Sequence, residues 1–147
     1  MPCLVYPFSR MRYPGGSLDY RGYTRLPLRI LNPATAREII AWGLVDTGAD
    51  ASLVPASLAK LLGHKLKGKG VKVTLTGGIE QTQVTAYRHT FEISLLSPSL
   101  KRRVWTRSME IDCLESDPPL LLGVDDFLCH FALTLDYPGQ EMRLSWS

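Results

Sequence analysis

The sequence predicts an all-β domain folded as a closed or nearly closed barrel, and three observations carry the prediction. Downstream of Arg25, apolar residues alternate with polar ones over successive short runs, the period of a half-buried strand. Turn-forming clusters separate these runs: Asn32-Pro33-Ala34-Thr35, Thr76-Gly77-Gly78-Ile79, Ser97-Pro98-Ser99 and Tyr137-Pro138-Gly139-Gln140. Helical signals are confined to two short stretches. The expected inventory is roughly seven or eight strands with one or two short helices, and a sheet of that size manages its edges by closing on itself.

Residues 1–24 are rich in Tyr, Pro, Gly and Arg without a sustained period, and read as an extended or partly disordered arm ahead of a domain spanning 25–147. Leu26, Leu28 and Ile30 alternate with Arg25, Pro27 and Arg29 in a first strand. After the Asn32–Thr35 turn, Ala36 to Val45 returns as its partner and ends at Asp46. Pro55 to Leu62 reads as a short helix, with Pro55 suited to the first helical position and Gly63 to the stop. Lys65 to Gly70 is a basic link. Val71, Val73 and Leu75 then alternate with Lys72, Thr74 and Thr76, and the Gly77-Gly78 turn leads into a partner strand from Gln81 to Leu95. Arg102 to Ile111 follows the Ser97–Ser99 turn. Asp117-Pro118-Pro119 ends that section, and Leu120 to Leu122 is a short apolar run of the buried-strand kind. Asp125 to Cys129 suits a helical turn. Phe131, Leu133 and Leu135 form one arm of a last hairpin, and Met142, Leu144 and Trp146 form the other.

With 147 residues, the chain has one domain's worth of core. No apolar stretch approaches the ~18 residues of a membrane span, and the arm lacks the apolar segment of a signal peptide. Three widely spaced cysteines, Cys3, Cys113 and Cys129, are an odd set that argues against a disulfide framework and for a reducing, cytoplasmic setting. A net charge of +3 is modest. The basic clusters at Lys60–Lys72 and at Lys101-Arg102-Arg103 with Arg107 read as solvated surface. No aromatic residues interleave them as a stacking platform, so no nucleic acid is expected.

The chemistry concentrates at Val45-Asp46-Thr47-Gly48-Ala49-Asp50, which occurs once. An apolar strand delivers a carboxylate, Gly48 allows a tight turn and close backbone approach, and the Thr47 hydroxyl can bond across a symmetry axis. An Asp-Thr-Gly loop of this kind suits a carboxylate dyad, in which two carboxylates share one proton so that one acts as base and the other as acid. Asp112, Asp125, Asp126 and Asp136 lack the Asp-Thr-Gly context, so the second carboxylate must be Asp46 of another copy across a two-fold axis.

In this order, the loop, the Gly-Gly hairpin and the apolar triplet resemble the retropepsins, the single-domain homodimeric aspartic proteases of retroviruses and their cellular and bacterial relatives. The likeness covers about residues 25–146. It implies an acid-protease barrel with one half-site per chain, Asp46 as the catalytic residue, and Thr47, Gly48, Ala49 and Asp50 as the supporting loop. Thr47 takes the position of the inter-subunit "fireman's grip". Thr76, Gly77, Gly78 and Ile79 match the tip of a flap that closes over a peptide, and Leu121, Leu122 and Gly123 match the element that crosses behind the loop. The implied partners are a second copy of the chain and a peptide or protein substrate, with no cofactor, metal or membrane. Two departures stand out: Val124 replaces the Arg that usually follows the Gly and pairs with the second Asp of the loop, here Asp50, and the arm is longer than in the retroviral pattern. The same features also fit a dimerisation or scaffolding module with little or no peptidase activity.

Ala49 cannot offer a hydroxyl to the ionised carboxylate, so activity is expected at mildly acidic to near-neutral pH. His64, His89 and His130 lie far apart in sequence without metal-ligand spacing to the cysteines. Asp125-Asp126 reads as a helix start or solvated turn. Trp42, Trp105 and Trp146 read as core or dimer-interface aromatics.

Overall fold

The structure, a computed structural model, describes residues 1–12, 20–68, 71–77 and 82–147. These residues form twelve strands, more than the roughly seven or eight expected from sequence period. The arm accounts for much of the excess: it contributes β1 (Cys3–Pro7), β2 (Ser9–Arg12) and β3 (Tyr20–Tyr23). β4 (Arg25–Leu31) and β5 (Glu38–Val45) form the first antiparallel pair, with Leu26, Leu28 and Ile30 fully buried as their alternation dictates. A three-residue strand, β6 (Leu53–Pro55), leads straight into helix α1 (Ala56–Leu61). Pro55 is therefore the residue before the helix rather than its first member. It has an extended φ/ψ and no side chain able to cap, and Asp117 Oδ1 accepts the Ser57 amide at 2.9 Å from outside.

Gly63, at φ +90°, takes the left-handed conformation that ends the helix. The carbonyl of Leu62 accepts Asn32 Nδ2 at 3.0 Å and Thr35 Oγ1 at 2.8 Å, so the turn between β4 and β5 holds the helix end. β7 (Val71–Gly77) and the long β8 (Thr82–Leu96) pair antiparallel, and β8 pairs again with β9 (Arg103–Leu114). The last elements are β10 (Leu121–Leu122), a 3-10 turn at Leu128–His130, β11 (Ala132–Asp136) and β12 (Glu141–Ser145).

Six strands close into a barrel in the order β4-β5-β10-β6-β9-β8, with β8 returning to β4. β7 extends the wall beyond β8, while β1-β12-β11 forms a separate three-stranded sheet. The barrel interior is one apolar cluster that includes Leu26, Ile30, Phe91, Ile93, Ile111 and Leu122, all nearly or fully buried. Outside, Arg29 bridges Glu38 on β5 and Glu92 on β8, joining three adjacent strands.

The N-terminal segment is extended, and it is docked. β1 pairs with β12 from Cys3↔Ser145 to Pro7↔Glu141. Tyr6 is 1% exposed and donates its hydroxyl to the Leu96 carbonyl at 2.7 Å, fastening the small sheet to the barrel. Burial pushes the Tyr6 phenol well above its ordinary pKa. The three cysteines are free, and burial pushes the Cys113 thiol up to about 12. Among the described residues, no helix is long and apolar enough to cross a membrane.

Candidate active site

β5 ends at Val45, and the way its end is held sets the position of Asp46. On one flank runs β10, parallel, with Leu121 opposite Leu44 and Leu122 opposite Val45. The Leu44 amide donates to Leu120 O at 2.8 Å and the Asp46 amide to Leu122 O at 3.1 Å. On the other flank Thr24 works twice, since its carbonyl accepts the Val45 amide at 2.8 Å and its hydroxyl donates to Val45 O at 3.4 Å.

Beyond the strand the chain turns on Asp46 itself. Its Oδ1 accepts the Gly48 amide at 3.0 Å and its carbonyl accepts the Ala49 amide at 3.2 Å, a side-chain-closed turn of the kind aspartate favours. Asp46 and Ala49 are half-buried, while Thr47, Gly48 and Asp50 are exposed. The turn is then stitched to the segment after β10: Val124 N donates to Ala49 O at 2.9 Å and Asp125 N to Asp50 O at 2.7 Å. Asp46–Asp50 and Leu121–Gly123, distant in sequence, are thus brought together at one end of the barrel.

Gly123 makes this crossing possible. A Cβ there would lie 2.4 Å from Ala51 C, 2.6 Å from Ala51 O and 2.8 Å from Ser52 N, all of them backbone atoms that cannot swing away. Gly48 differs from its expected role: its φ is not in the left-handed region, and an added Cβ would meet nothing nearer than Asp46 Oδ1 at 3.4 Å. Within one chain, close approach requires glycine at 123 and not at 48.

Two residues that the loop motif does not include complete the arrangement. Ser52, 1% exposed, donates its amide to Asp126 Oδ2 at 2.9 Å and its hydroxyl to Asp126 Oδ1 at 2.6 Å, and its Oγ accepts the Gly123 amide at 2.9 Å. Asp125 and Asp126 do lie in a turn leading into the 3-10 helix, with Asp125 exposed, but the Asp126 carboxylate is bonded to Ser52 rather than simply solvated. That carboxylate ties the strand leaving the loop to the segment crossing behind it, and hydrogen bonds to an ionised acceptor are the stronger kind. The sequence signal was limited to a serine and an aspartate in the neighbourhood of the two motifs.

The flap residues fall at the border of what the structure describes. Thr76 and Gly77 end β7 opposite Gln83 and Thr82, and Gly78 and Ile79 lie outside the described residues. Val124, which stands where the resemblance places an Arg, is 36% exposed. Among the described residues, no group of three or more His, Cys, Asp or Glu could hold a metal ion.

Other sequence readings are revised by packing. His64 and His89, far apart in sequence, place their rings 4.7 Å apart, and His64 also packs edge-on against Phe91. His89 Nε2 donates to Leu66 O at 2.9 Å, whereas His64 Nε2 is buried with no hydrogen-bond partner among the described residues. Burial and the neighbouring His89 lower the His64 pKa, against a backbone hydrogen bond at Thr90 that raises it. Trp105 packs on Phe127 and Phe131, and Trp146 packs on Phe131. Trp42 is 44% exposed on the outer wall and belongs to no core. No family model matches the chain, and no curated protein matches it.

Proposed function

We propose that the chain is an aspartic endopeptidase of the retropepsin type, active as a homodimer in which Asp46 of each copy supplies one carboxylate. The observation that carries the reading is the stitching of the Asp46–Asp50 turn onto the Leu122–Asp125 segment by backbone bonds, at the end of a closed barrel, with Thr47 turned out to solvent. That arrangement presents a half-buried carboxylate on a rigid support, which is the form a preorganised catalytic group requires.

In this mechanism two Asp46 carboxylates hold one proton, since like charges a few Å apart resist joint ionisation. The ionised one takes a proton from water, which attacks the scissile carbonyl carbon. The protonated one donates to the carbonyl oxygen. The tetrahedral diol collapses as the leaving amine is protonated, so neither a covalent enzyme intermediate nor a metal takes part. The substrate lies extended between subunits, bonded through its backbone to the hairpin of β7 and β8. The odd, widely spaced set of three cysteines in the sequence is the ground for reading a reducing, cytoplasmic setting.

The test compares wild type with Asp46→Asn on a proteome-derived peptide library from about pH 3.5 to 7.5, with cuts read by mass spectrometry. Cuts made by wild type alone, at mildly acidic to near-neutral pH, are expected. Cleavage by neither protein, with a dimer confirmed in solution, refutes the enzyme and leaves the scaffolding module of the same fold. Cleavage that still rises at the acid end of the series, about pH 3.5, refutes the part assigned to Ala49.

A further inference from the structure

On the barrel wall remote from Asp46, a cleft of about 460 Å³ opens between β4–β5 and the turn joining β8 to β9. Its lining mixes two chemistries. Ile39, Ile40, Leu96 and Leu100 supply apolar surface, and Ile40 is 56% exposed. Lys101, Arg102 and Arg103 supply three exposed cations, and the side chain of none of them has a hydrogen-bond or ion-pair partner among the described residues. The one carboxylate in the lining, Glu38, is already taken by Arg29.

The turn that carries the cations is firmly built. Ser97 N donates to Arg102 O at 2.8 Å, Leu100 N to Ser97 O at 2.8 Å, and Arg102 N to Ser97 Oγ at 3.3 Å. Leu100 sits at φ +66°, and the register between β8 and β9 shifts at Leu95/Leu96, an irregularity of the kind that re-aims side chains. A second cleft of about 360 Å³ shares Arg102 and Arg103 with the first and continues along Leu4, Val104 and Trp146. The two arginines thus stand at the junction of a groove with apolar surface on both sides.

We propose that this groove is a docking site for an acidic peptide segment carrying a bulky apolar side chain. Unpaired cations at the rim call for carboxylates, and an exposed apolar floor calls for a side chain rather than a sugar-phosphate backbone. Ile40 lies six residues before Asp46 on β5, so the site is about 20 Å from the carboxylate at 3.3 Å per strand residue. It is a recognition surface separate from the chemistry at Asp46 and does not depend on it.

The test is fluorescence anisotropy with a labelled peptide of glutamates around one central phenylalanine. Saturable binding is expected, equal for wild type and Asp46→Asn. It weakens at least about tenfold in Arg102→Glu/Arg103→Glu and in Ile40→Ser, exposed positions whose folding is checked by thermal melting. Two changes on the peptide repeat the test without touching the protein: serine for the phenylalanine weakens binding about tenfold, and lysines for the glutamates abolish it. The proposal is overturned by the absence of saturation, by indifference to the phenylalanine, or by a single-stranded oligonucleotide binding as tightly. Loss of binding in Asp46→Asn alone also overturns it, by placing the peptide at the other end of the barrel.

Discussion

Removing the Asp126 carboxylate tests whether the loop and the segment behind it are one mechanical unit. Asp126→Ala deletes the acceptor for the Ser52 amide at 2.9 Å and the Ser52 hydroxyl at 2.6 Å. Each bond to an ionised acceptor contributes about 1.5–3 kcal/mol net, and two sharing one carboxylate are less than additive, so the expected loss is about 3 kcal/mol. Ser52→Ala removes the hydroxyl and leaves the Gly123 amide without its acceptor at 2.9 Å, at a cost of about 2 kcal/mol. The double variant does not lose the sum, because the hydroxyl–carboxylate bond is counted in both singles, and the coupling is about 1–2 kcal/mol. Urea unfolding of the four proteins at one fixed protein concentration measures it, with amide exchange at Gly123 as a local readout. A coupling under about 0.5 kcal/mol, or an Asp126→Ala loss under about 1 kcal/mol, refutes the reasoning.

Gly123→Ala must displace backbone atoms 2.4–2.8 Å from the new Cβ and should lose more than about 3 kcal/mol, whereas Gly48→Ala should lose under about 1 kcal/mol; equal melting temperatures for the two would contradict the packing argument. Arg88 holds the carboxylate of Asp112, whose side chain is 4% exposed, at 2.8 Å. Arg88→Met should therefore cost about 2–4 kcal/mol in chemical denaturation, and Arg88→Met/Asp112→Leu should restore most of it; a double variant as weak as the single one counts against an uncompensated buried charge as the cause. The folded pKa of His64 lies below its ordinary value, first from burial and then from His89, so the native state binds the proton less readily than the unfolded chain. Its contribution to stability is complete above about pH 6.5 and is lost as pH falls through the folded pKa. Wild type should lose melting temperature over that window more steeply than His64→Leu, and parallel curves would show that His64 is not the group responsible.

How legible each part was depended on how locally it was encoded. β4, β5, β8 and β9 announce themselves because each runs long enough for period-two alternation, and one face of each meets the core. β6 has three residues and β10 two, too few for any period, and the partners that make them strands lie in distant segments. The arm hid its strands for the same reason: Tyr6 is a core residue only because β12 and Leu96 meet it, and Phe8 because Tyr137 and Gln140 of the turn before β12 do. Within the site, the Asp-Thr-Gly turn and the Leu-Leu-Gly crossing were visible as motifs. The Ser52–Asp126 bond spans 74 positions and leaves no pattern in either neighbourhood. Reasoning from residue type placed the glycine requirement at Gly48, where a turn was evident, and passed over the backbone contact at Gly123 that only the assembled chain creates.

The pairing of β1 with β12 also bears on how the chain is made. A ribosome releases Cys3–Pro7 long before Glu141–Ser145, so β1 has no partner until Glu141–Ser145 has been synthesised. Until then Tyr6 and Phe8 remain in water and the Leu96 carbonyl lacks its donor, while the barrel strands, whose contacts lie closer in sequence, are free to assemble. Closure of the small sheet then waits on Glu141–Ser145, and the interval before it is when a chaperone would find Cys3–Phe8 exposed.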